Sequence, residues 1–234
     1  MFTFTAARLG IAAVVLATTG VVTTASPAMA APALQLPFPC GQQWRLDTWA
    51  HAPALDMVRE PDQHGTDGAT LVAPAAGTVN QSFSHSNAGN TIQIDHGGGY
   101  YTTYIHLQSR AVSVGTRVQA GTVIGRVGAT GPTSNGHPHL HFELGYDSNG
   151  DGEASWGYAG SERVRPTFDG VTYGGANGQT WRNVTSRNCP NPTGKVSVYG
   201  VQPDGRLTYA AIDAATGRRT HGNVVSTATL GFTP

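Results

Sequence analysis

Two stretches, Asn90-Thr-Ile-Gln-Ile-Asp95 and His139-Leu-His-Phe-Glu-Leu144, alternate polar and apolar residues with period two. Downstream of residue 30 no segment carries a helix-length apolar pattern. Successive side chains of a strand face opposite sides, so this alternation specifies half-buried strands. Other apolar runs are short and end at glycines. Thr70-Leu-Val-Ala73 is one strand, and Gly77-Thr-Val79 begins another. The turn Gly97-Gly98-Gly99 separates Asn90–Asp95 from Tyr100–Leu107 as in a hairpin, and Val112 to Gly128 reads as strand–turn–strand. The predicted fold is all-β, with antiparallel sheets forming an open groove.

The first thirty residues follow another rule. Arg8 is their only charge; the apolar run Leu9–Val22 follows it, and Ala28-Met29-Ala30 supplies a small-x-small cleavage pattern. Residues 1–30 are therefore predicted to be a signal peptide, and 31–39 a Pro/Ala-rich lead-in. No later stretch is apolar enough to span a bilayer, so the expected location is secreted, extracellular or cell-wall-associated, with no membrane partner after cleavage.

Losing Arg8 leaves 13 basic against 14 acidic residues, and Lys195 is the sole lysine. A near-neutral chain lacks the basic face that phosphate binding needs, which argues against nucleic acid as a partner. Cys40 and Cys189 are the only cysteines. In an exported chain they are expected to form a disulfide, whose long loop would be worth about 4–5 kcal/mol in the chain-entropy view. They also bracket a domain-sized unit, residues 40–189.

The residues with most chemical potential are histidines. On the strand in Gly136-His-Pro-His-Leu-His-Phe-Glu143, His139 and His141 project to one face, opposite Phe142 and Leu144. Catalytic zinc commonly takes three protein ligands and keeps a fourth position open. Upstream, His51 and Asp56 border an apolar strand start, whereas His64 and Asp67 lie in a Gly-flanked loop. A strand holds ligands more firmly, which favours His51/Asp56 and leaves His64/Asp67 as the alternative.

His51…Asp56, Val72-Ala-Pro-Ala-Ala-Gly-Thr-Val79, Ile94-Asp-His-Gly97, Tyr100–Leu107, Val123-Ile-Gly125 and Pro138-His-Leu-His-Phe-Glu143 together resemble the lysostaphin-type peptidoglycan metallopeptidases. The likeness spans the Cys40–Cys189 block. It implies one zinc ion per domain, held by His51, Asp56 and His141, with His106 and His139 as the catalytic histidines. The implied activity is zinc-dependent hydrolysis of peptide bonds in bacterial peptidoglycan. The alternative is an inactive relative that binds or activates at the wall. Two departures stand out: four residues rather than three separate His51 from Asp56, and His137 is inserted before Pro138. His137 reads as a loop residue, and His85 and His96 as structural.

Asp147, Asn149 and Asp151 match early positions of a calcium loop, although Tyr158 occupies the position of the usual closing Glu. Calcium there is an expectation to be tested. After the linker Pro190-Asn-Pro-Thr-Gly194, residues 195–234 read as one small β unit. It resembles a single tachylectin-type propeller repeat through Tyr199–Tyr209 and Thr229–Phe232, with glycan contact through this tail as the implied role.

Overall fold

The computed structural model describes residues 30–189, 195–201, 207–213 and 219–224. All but the last residue of the predicted leader lies outside them. The first strands are β1 (Gln43–Asp47), β2 (Leu55–Arg59), β3 (Thr70–Val72), β4 (Gly77–His85), β5 (Gly89–Asp95) and β6 (Tyr100–Leu107). Then come β7 (Ser109–Arg110), β8 (Arg117–Val118), β9 (Val123–Arg126), β10 (Leu140–Tyr146) and β11 (Arg163–Val164). β12 (Thr167–Phe168), β13 (Val171–Thr172) and β14 (Thr180–Thr185) complete the block between the cysteines. Helix among the described residues is limited to two 3-10 turns, Pro132–Ser134 and Gly157–Ala159. The all-β expectation holds.

The main sheet is antiparallel, in the order β14-β1-β2-β10-β6-β5-β4-β8, with β11 also pairing β10. A smaller sheet, β3-β9-β7, contributes Leu71 and Ile124 to a common core with Leu55, Met57, Ile92, Ile94, Leu140 and Phe142 of the main sheet. Period two explains the division of faces. On β10, Leu140, Phe142 and Leu144 enter the core, which sends His141 and Glu143 to the other face. On β2, Leu55 and Met57 do the same for Asp56. Because β2 pairs with β10, Asp56 lies directly across from His141, 85 residues away in the chain.

Cys40 and Cys189 are disulfide-bonded, with a Cα–Cα distance of 4.5 Å. They join the start of β1's approach to the exit of β14. Four short strands, β11 to β14, follow β10 within this block. β14 was not legible in the sequence because its residues are mostly exposed and carry no apolar alternation. Beyond the linker, β15 (Lys195–Val201), β16 (Leu207–Asp213) and β17 (Arg219–Val224) form an antiparallel three-stranded sheet. The expected linker Pro190–Gly194 and the Thr229–Phe232 ending lie outside the described residues, and nothing in these strands identifies a propeller repeat.

Candidate metal centre

His51, Asp56 and His141 each offer one ligand atom, and these atoms lie within 4.8 Å of one another. Asp56 is the centre of the group. Its Oδ2 is 3.1 Å from His51 Nε2, and its Oδ1 is 2.9 Å from His141 Nδ1. His51 is placed by a turn leading into β2, in which its N–H donates to the Thr48 carbonyl at 3.0 Å and its own carbonyl accepts from Ala54 at 3.0 Å. The four-residue spacing to Asp56 is accommodated in this turn.

The far nitrogen of His141 is equally constrained: Nε2 lies 2.8 Å from Glu143 Oε1. Glu143 is buried, accepts two 3.1 Å bonds from the Gly157 N–H, and has Arg163 Nη1 at 3.7 Å. A carboxylate behind a ligating imidazole fixes its orientation and makes it a stronger donor. Burial disfavours a charge on His141, but its bonds to Asp56 and Glu143 outweigh that and raise its pKa to about 9. Burial would likewise raise Asp56, yet the bonds from His141 and His51 hold its carboxyl well below the usual carboxylate range. Two imidazole nitrogens and one carboxylate oxygen converging with an open side is a donor set that suits zinc.

Two more imidazoles face this group. His139 Nε2 is 3.6 Å from Asp56 Oδ1, and the His106 and His139 rings are 4.9 Å apart. His139 Nδ1 pairs with the His137 carbonyl at 2.8 Å, and His106 Nδ1 with the Thr130 carbonyl at 2.9 Å. Carbonyls only accept, so each Nδ1 carries the proton and each Nε2 keeps a free lone pair. Burial is the main cause that lowers both pKa values, His106 to about 4, with the neighbouring His139 adding to it.

His106 reaches this face through a break in the alternation. Tyr104 and Leu107 are both in the core, although three positions apart on one strand. Between them Ile105 and His106 both line the groove. The β5–β6 register slips between Asn90 and Ile92, and His106 has φ 66°. This is a β-bulge: one extra residue turns His106 outward and returns Leu107 to the core. Thr130, which anchors the ring, presses against Gly89, where a Cβ would collide with it.

The other predicted residues sort clearly. His64 is 89% exposed and pairs with Asp62 at 3.1 Å, and exposed Asp67 accepts from Gln108 at 3.4 Å. Neither joins the metal group. His137 is an exposed loop residue whose Nε2 meets Gln63 Oε1 at 2.8 Å, and it lines the groove. His96 is structural, bonded to the Ala76 carbonyl and Thr102 Oγ1 at 2.7 Å each. His85 ends β4 and accepts from the Asn87 and Ala88 N–H groups at 3.2 Å.

The calcium expectation finds no support: the metal-ligand group found among the described residues is His51, Asp56 and His141. Asp147 turns Oδ1 onto the Gly150 and Asp151 N–H groups and Oδ2 onto that of Gly152, while Asp151 Oδ1 accepts from Glu153. These bonds build an Asx-turn loop, the ordinary work of Asp and Asn at such positions. Sequence reasoning also missed Glu143 and Arg163. The signal for Glu143 was present, since it stands two residues from His141 on one strand face.

An open groove of about 970 Å³ runs over these residues. Residues 61–152 match peptidase family M23; the match begins after His51 and Asp56. The chain is 34% identical over 114 residues to the peptidoglycan DD-endopeptidase ShyA of Vibrio cholerae serotype O1, covering 46% of this chain and 26% of that protein. It is 40% identical over 85 residues to ShyC, a peptidoglycan DD-endopeptidase of the same organism, covering 34% of this chain and 19% of that protein. The chain thus spans about a quarter or less of the length of these relatives. Among solved structures, the catalytic domain of the antimicrobial peptidase lysostaphin from Staphylococcus simulans is 26% identical, with 50% of this chain and 80% of that one covered and a TM-score of 0.36.

Proposed function

We propose that this chain, which carries a domain of peptidase family M23, is a secreted zinc-dependent endopeptidase that hydrolyses peptide bonds in bacterial peptidoglycan. The observation that carries the reading is the convergence of His51, Asp56 and His141 at the floor of a groove, with two further imidazoles facing them. The residues fit a zinc ion: two neutral imidazoles and one carboxylate would leave the site with a net positive charge. Zinc bound there supplies a Lewis acid that polarises a peptide carbonyl and lowers the pKa of water toward neutrality.

The protein's own groups carry the proton transfers. His106 and His139 reach neutral pH uncharged, each with Nε2 open to the groove. Either Nε2 can accept the proton of the attacking water, and the imidazolium so formed can return a proton to the leaving amine or stabilise the developing oxyanion. The backbone carbonyls of Thr130 and His137 hold the two rings in the required tautomer. Glu143 holds His141 from behind.

The relatives' printed activity supports a cross-link involving D-amino acids as the first bond to test. The disulfide supports residues 40–189 as the catalytic unit; glycan contact through residues 190–234 is a separate part of the proposal. The decisive experiment measures zinc stoichiometry and the release of new amino groups from purified peptidoglycan. Parent protein that binds about one zinc and releases amines supports the proposal. Zinc-loaded protein that releases none would favour the wall-binding or activating module instead.

A further inference from the structure

We propose that the groove wall beside β4 and β5 is a saccharide subsite that takes an N-acetylated sugar of the glycan bearing the peptides. It rests on the reading of the groove as a peptidoglycan site and names which part of the substrate lies where. The sheet order places β1 and β4 on opposite sides of the β2-β10-β6 centre. On the β1 side the groove is lined by Arg45 and Asp47, and Arg163 reaches toward the His51 carbonyl at 3.5 Å. Arg45 and Asp47 pair with each other at 2.7 Å, so this wall carries charged groups.

The β4 side is different in kind. Trp156 lines the groove, and its ring is fixed from behind. Trp156 Nε1 donates to Gln81 Oε1 at 3.2 Å; His85 meets the ring edge-on at 5.5 Å, and Phe83 tilts against it at 6.0 Å. The next residue, Gly157, is anchored to Glu143. Tyr158, 97% exposed, stands at the open edge of the groove. The groove is also lined by Asn87, Thr133 and Asn135, on loops tied by Thr133 Oγ1 donating to the Asn87 carbonyl at 2.8 Å.

A prepositioned aromatic face with a rim of uncharged amides and hydroxyls matches a pyranose ring, which has an apolar C–H face and a polar edge. An acyl chain or apolar peptide side chain would leave that rim unpaired, and a charged peptide would lack a counter-charge there. Holding Trp156 in advance removes the ordering cost of binding.

The test compares two substrates of the zinc-loaded protein: a cross-linked peptide dimer carrying its disaccharides, and the same dimer with the sugars removed. Parent protein is expected to prefer the sugar-bearing dimer in kcat/KM. Trp156→Ala and Tyr158→Ala should each reduce that preference about five- to ten-fold, the equivalent of one lost stacking face, with zinc retained. Tyr158 is surface-exposed, so its variant reports binding without a folding penalty. Absence of preference in the parent, or equal losses on both substrates, overturns the subsite. If neither dimer is cleaved, it is the peptidase reading that fails, and calorimetric titration with the free N-acetylglucosamine–N-acetylmuramic acid disaccharide decides the subsite. Binding weakened in both variants supports it, and no binding rejects it.

Discussion

Glu143 stands two residues beyond His141 on β10, with its Oε1 2.8 Å from His141 Nε2, while Asp56 Oδ1 lies 2.9 Å from Nδ1 of the same ring. One imidazole is thus gripped at both nitrogens, one of them facing the ion position. Replacing the outer carboxylate frees the ring to rotate. Glu143→Ala is expected to weaken zinc binding about 10- to 100-fold. Glu143→Gln, which keeps an acceptor, should lose less. Competition with a chromophoric chelator measures both, and equal affinity in parent and Glu143→Ala would count against the role.

His141 and His139 share a strand end but are assigned different work. His51→Ala, Asp56→Ala and His141→Ala should lose both zinc and turnover. His106→Ala and His139→Ala should keep zinc and lose about 10²- to 10⁴-fold in kcat. His64→Ala and Asp67→Ala should change neither. Elemental analysis beside amine release reads every case; zinc retained by Asp56→Ala would sink the ligand set.

His106 sits at φ 66°, a region that costs a residue with a Cβ about 1–2 kcal/mol and glycine almost nothing. His106→Gly should therefore be more stable than His106→Ala by about 1 kcal/mol, although both lack the imidazole. Urea unfolding midpoints compare them directly. The reverse order would mean that the bulge relaxes in the variants.

Glu162 organises the 147–155 loop by accepting from the backbone and hydroxyl of Ser148 and the backbone of Asn149 and Ser155. The Ser155 and Ser148 bonds hold its pKa down to about 2, against 4.5 when unperturbed. A depressed acid stabilises the fold above its unfolded pKa, and the gain fades as pH falls from about 4.5 toward 2. Glu162→Gln should therefore be less stable than parent at pH 7, with the gap narrowing by pH 3. A gap independent of pH would show that packing, not charge, is at stake.

The Cys40–Cys189 bridge closes a loop with a sequence separation of 149. Its reduction is expected to cost about 4–5 kcal/mol and to lower Tm, while leaving the metal ligands in place. Intact mass with and without reductant, paired with a thermal melt, tests both parts. Two free thiols in the secreted protein would refute the bridge.

The local repeat of the chain determined a great deal. Period two in His139–Leu144 already assigned His141 to the face opposite Phe142 and Leu144, because side-chain direction in a strand depends only on adjacent residues, and Asp56 was marked by its place beside an apolar strand start. The paired cysteines and the run of histidines were equally plain. What the tertiary structure alone decided was everything that depends on which distant strands meet. Pairing of β2 with β10 brought Asp56 onto His141 and left His64 and Asp67 in solvent. A bulge that the alternation could not announce turned His106 from the core side to the groove, and Gly157 reached Glu143 across a loop that had suggested calcium. Register and bulges are set by the packing of whole sheets, where the gain from burying Tyr104 and Leu107 outweighs the local strain at His106.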